Sequence, residues 1–124
     1  MNADAMHDAL LRGSALFDAG AFFEAHEAWE EQWRVEIDET RRRFLQGLIQ
    51  VAAAFHKLFV AHSVDAASRL LTKGLAKLDA CPTLVSTAGI EAFLDAVHAY
   101  ARDLATGHVD RAGVPKLGSR TDRS

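Results

Sequence analysis

Apolar residues recur at steps of three and four along most of this chain, and no run alternates with the period of two that a strand requires. That period commits the chain to helices. Met6, Leu10 and Phe17 share a stripe over residues 3–18, and Gly20 follows at a natural stop. A second helix is expected over 21–36. The run "IDET" breaks the pattern, with Asp38 and Thr40 suited to a turn or an N-cap, and a third helix follows over 41–61. A fourth over 65–79 ends near Pro82, which cannot continue it, and Ile90, Phe93, Leu94, Val97, Ala101 and Leu104 mark a fifth over 89–105.

The expectation is therefore an all-α, single-domain bundle of about five helices, since 124 residues suffice for one core. The domain is expected over 1–105. Residues 106–124 read as a C-terminal tail, glycine- and charge-rich and partly disordered, although Val114, Pro115 and Leu117 could dock on the body. Lys and Arg number 14 against 17 Asp and Glu, with no basic block, so nucleic acid is not an expected partner. A single cysteine, Cys81, excludes an internal disulfide and agrees with a reducing, cytoplasmic setting. The acidic N-terminal stretch lacks the marks of a signal peptide, and no segment is apolar enough to suggest membrane insertion.

Gly13, Leu16, Gly20, Phe22, Ala25 and Trp29 are spaced like the small and large positions of a tetratricopeptide helical hairpin, and Ala66 and Leu70 give a weaker second copy. Two units are too few for a solenoid, and ordinary helix packing explains the same spacing.

The stretch "FFEAHEAWEEQW" carries the chemistry. At 100° per residue Phe22, Ala25, Trp29 and Trp33 form its core stripe, while Glu24, Glu27 and Glu31 fall on the solvated side. His26 and Glu30 stand at the edge of the stripe, one turn apart, where they can meet each other or face one target together. A buried carboxylate must be paired, protonated or metal-bound. A hydrogen bond between the two neighbours would satisfy that with no function attached. The third helix is apolar on most of its circumference, and its remaining strip holds Gln46 and Gln50, either surface residues or amides reaching Glu30 or His26. His56 lies on its apolar side, as a hydrogen-bonded core residue or as a ligand.

"FFEAHEAWEEQW" followed by "RRRFLQGLIQVAAAFHKL" resembles domain of unknown function family 309, marked by a His-x-x-x-Glu-x-x-Trp motif that here is His26, Glu30 and Trp33. The likeness, with "FDAGAFFEAHE" and "FLQGLIQ", covers about residues 7–80. It implies a small helical fold and a suspected metal role for the motif's His and Glu, and it implies no substrate. Where the family usually turns on Gly-Asn followed by Gly-Ala, this chain reads "AHSVDAAS".

Imidazole with carboxylate suits a divalent metal ion, the one cofactor the motif suggests. A third ligand would have to come from His56, Glu27 or a partner subunit. The pattern is not His-Glu-x-x-His, and phosphate loops, Gly-x-Ser-x-Gly elbows and activated cysteine motifs are absent. Three readings result: a helical binding module for a protein or peptide, with room for a homodimer; a metal-dependent enzyme, a hydrolase, using His26 and Glu30; and a structural polar lock of His26, Glu30 and Gln50. Binding or structure takes precedence over enzymology.

Overall fold

The computed structural model describes residues 2–118, and side chains from Ala5 onward. Among them six helices and no strand are present: α1 (Asn2–Asp18), α2 (Phe22–Val35), α3 (Glu39–Phe59), α4 (Val64–Asp79), α5 (Pro82–Ala88) and α6 (Glu91–Ala105). The all-α class holds, with one helix more than the period suggested. Pro82 ends nothing. It sits at the first position of α5, where its missing N–H is not needed, and Gly89 closes that helix at φ 69°. None of these helices is long and apolar enough to cross a membrane.

Short loops make each of the first four helices pack on its chain neighbours, with α6 laid on α4. Asp38 caps α3 by accepting the Arg41 N–H at 2.9 Å, and Ser63 caps α4 through the Ala66 N–H at 3.2 Å. Between them α3 ends with a bond from Ser63 N–H back to Lys57 O, closed while His62 takes a left-handed φ of 54°. The departure from Gly-Asn thus leaves a histidine where glycine is the easier residue.

Two close approaches set the hairpins. A Cβ on Gly13 would overlap the Trp29 indole, so α1 can lie on that ring only as glycine. A Cβ on Gly74 would stand 2.8 Å from Gly47 O, so α3 and α4 touch backbone to backbone there. The core centres on Phe17, whose ring meets Phe22, Phe55 and Phe93 edge-on at 5.0, 5.8 and 5.5 Å. One side chain thereby joins α1, α2, α3 and α6.

Beyond α6 the chain returns to α1. Pro115 and Leu117 are buried, and the Asp18 carboxylate accepts N–H bonds from Leu117 at 2.7 Å and Gly118 at 2.9 Å. Of the expected tail, residues 119–124 lie outside the described residues.

Candidate functional site

Helix α2 turns its flank, not its core stripe, toward the ionisable cluster. Ala25 and Trp29 are fully buried, whereas His26 and Glu30 keep about a quarter of their side-chain surface, at 25% and 27%. Glu27 is half exposed. Positions i, i+1 and i+4 bring His26 Nδ1 within 3.8 Å of Glu27 Oε2 and 3.9 Å of Glu30 Oε1. Those separations exceed a hydrogen bond, and Nδ1 is sealed from solvent with no hydrogen-bond partner. One donor atom from each of the three residues fits within a sphere of contacts no wider than 4.8 Å. That is close to the span of two metal–ligand bonds of about 2.1 Å each, so a small rotamer adjustment would close the set on one cation.

Around the cluster the surroundings are mixed. The His26 ring stacks on Phe23 at 6.1 Å, and Phe23, half exposed, leans on His56 of α3 at 5.6 Å. His56 is therefore a neighbour through Phe23 and stands outside the donor set. Arg34 reaches Glu30 Oε1 at 3.4 Å and supplies its countercharge. Trp33 carries the Arg42 guanidinium 4.3 Å over its ring, while Arg42 Nη1 donates to Trp33 O at 2.7 Å, a clasp across the α2–α3 joint.

Gln50 does not reach His26 or Glu30. It accepts a bond from Lys77 Nζ at 3.0 Å and packs beside Gly74, which places it on the α4 side of α3. Gln46, one turn earlier, is half-buried. The lock envisaged between His26, Glu30 and Gln50 is not assembled, because α3 separates the amide from the pair.

Residues 10–70 match the model of a family described as "Domain of unknown function (DUF309)". That segment is a DUF309 domain. The matched segment runs from within α1 to within α4 and so contains the whole ionisable cluster. No curated protein and no solved structure matches the chain.

A buried polar lock does exist in this DUF309 domain, one turn and a half further along. The Glu36 side chain is fully buried just past the end of α2, where it accepts bonds from Gln32 Nε2 at 3.0 Å, Asp38 N–H at 3.2 Å and Arg41 Nε at 3.1 Å. Burial by itself would raise its pKa. The hydrogen bonds from Gln32, Arg41 and the Asp38 backbone outweigh burial and hold the carboxyl below its ordinary value. The sequence reading took Glu36 only as the last residue of the second helix. The available signal was Gln32 one turn before it and Arg41 just after the turn, a pattern that becomes a contact only when the chain reverses. Burial also pushes the Cys81 thiol up, with Arg43 opposing weakly, so this cysteine is a poor nucleophile.

Proposed function

We propose that this DUF309 domain is a binding module that holds a divalent metal ion between His26, Glu27 and Glu30. The observation that carries the reading is the sealed, unpartnered His26 Nδ1 facing two carboxylate oxygens that are too far for hydrogen bonds and well placed for a shared cation. One imidazole with two carboxylates is a donor set for zinc, manganese or iron. Arg34 occupies Glu30 when no metal does, so the ion must displace an exposed side chain, at little cost. The glycine-pinched hairpins support a tetratricopeptide-like arrangement in which a peptide would dock beside Phe23. A cytoplasmic setting accords with the single buried thiol.

A metal-dependent hydrolase is the second reading, favoured by the half-exposed Phe23 and the neighbouring His56. Three protein ligands leave coordination positions open for water and substrate, and that pair would form one wall beside them.

The test is titration of tag-free protein with zinc and with manganese, alongside metal analysis after chelator-free purification. One ion per chain is expected, with affinity reduced about tenfold or more by His26→Ala or Glu30→Gln, the range seen when a site loses a ligand or its support. Because the nearest partner of Glu30 is an exposed arginine, Glu30→Gln should leave the melting temperature almost unchanged. Saturable binding unaffected by these substitutions, or no binding at all, would remove the proposal.

A further inference from the structure

The turn between α1 and α2, the end of α3 and the returning tail line a solvent-open pocket of 370 Å³. That volume lies at the small end of the range for ligand sites, about 300–1,000 Å³. Its floor is apolar. The Phe22 and Phe59 rings lie 6.2 Å apart at 30°, and Val114 closes one side.

Among the described residues, the polar groups at its rim do not balance. Arg111 places its guanidinium 4.5 Å over the Phe59 ring, and among the described residues it forms no ion pair. Its neighbour Asp110 is engaged elsewhere, accepting the Gly113 N–H at 3.0 Å. Lys116 Nζ donates to the backbone oxygen of Asp18 at 3.0 Å, an uncharged acceptor. The Asp18 carboxylate itself is taken by the Leu117 and Gly118 N–H groups. Among the described residues, two cations thus face an aromatic floor while the one carboxylate at the rim is already hydrogen-bonded, in a chain whose net charge is -3.

The segment bearing these cations is tied at both ends. Tyr100 donates its hydroxyl to Asp110 O at 2.8 Å, and Asp18 holds Leu117 and Gly118. Binding would not have to order the tail, which removes a large part of the usual cost of a loop site. We propose that this pocket binds a small organic carboxylate with an aromatic or branched apolar body: the body would lie on Phe22 and Phe59, and the head would meet Arg111 and Lys116. A planar guanidinium offers a carboxylate two parallel donors.

Calorimetric or NMR titration of the full chain with phenylacetate, phenylacetamide and inorganic phosphate tests this. Chelator is present throughout, so the result is independent of any metal at His26. Phenylacetate should saturate the protein at concentrations of about 1 mM or below, and the uncharged amide should bind at least about tenfold more weakly, the factor that one charge-assisted contact supplies. Arg111→Gln and Lys116→Gln should each weaken phenylacetate by a similar factor with the melting temperature unchanged. Equal affinity for the amide, affinity unaltered in both variants, or no saturation by about 10 mM would overturn the proposal. Phosphate binding as tightly as phenylacetate would also overturn it, since the aromatic floor would then contribute nothing.

Discussion

Replacing Glu36 by alanine tests whether a buried carboxylate holds the α2–α3 turn. The side chain has no exposed surface and accepts three hydrogen bonds, from Gln32, Asp38 N–H and Arg41. Its loss leaves a buried amide and a backbone N–H without their acceptor, at about 1–3 kcal/mol each, while Arg41, one-third exposed, can rehydrate. The expected cost is about 3 kcal/mol. With a urea slope near 2 kcal/mol/M, the unfolding midpoint should fall by roughly 1.5 M. Glu36→Gln keeps the shape and removes the charge, so it should cost less, about 1–2 kcal/mol at neutral pH.

The pH dependence gives the sharper check. The folded state holds the Glu36 carboxyl below its ordinary value of 4.5, so the stability drawn from its ionised form is fully present above about pH 4.5. It is lost as pH falls through the lower, folded value, where the native carboxylate takes up its proton. The gap between wild type and Glu36→Gln should therefore be constant from pH 7 to 5 and narrow below 4.5. A gap that stays constant down to pH 3, or a Glu36→Ala cost under about 1 kcal/mol in urea titration, would refute the reasoning.

Gly74→Ala drives a methyl to 2.8 Å from the Gly47 carbonyl, so α3 and α4 must separate; a loss of about 2–3 kcal/mol in chemical denaturation is expected. His62→Gly removes the left-handed strain of about 1–2 kcal/mol but gives back part of it as freedom of the unfolded chain. A net gain of about 0.5–1 kcal/mol should raise the melting temperature by roughly 2–4 °C in calorimetry.

Much of this molecule was legible because helices are local. The apolar steps located five helices to within a few residues, and the spacing of His26 and Glu30 put that pair one turn apart at the edge of the core stripe, whereas Glu27, read on the solvated side, joins them only through the reach of its side chain. How deeply those donors are buried was not local: Trp29 packs against Gly13, and His26 and Glu30 keep about a quarter of their surface. Pro82 shows the same limit, because a proline stops one helix or starts the next according to where the chain goes afterward.

What only the tertiary structure decided is every contact that bridges distant or reversed segments. Glu36 meets Arg41 across a turn, Gln50 meets Lys77 across two helices, and Asp18 meets Leu117 from the other end of the chain. A side chain's type and period determine which face of its own element it occupies, and that much the sequence by itself determined here. Its partner depends on how several elements pack at once, and so the carboxylate lock and the cationic pocket emerge only when the helices close on Phe17 and the tail returns to α1.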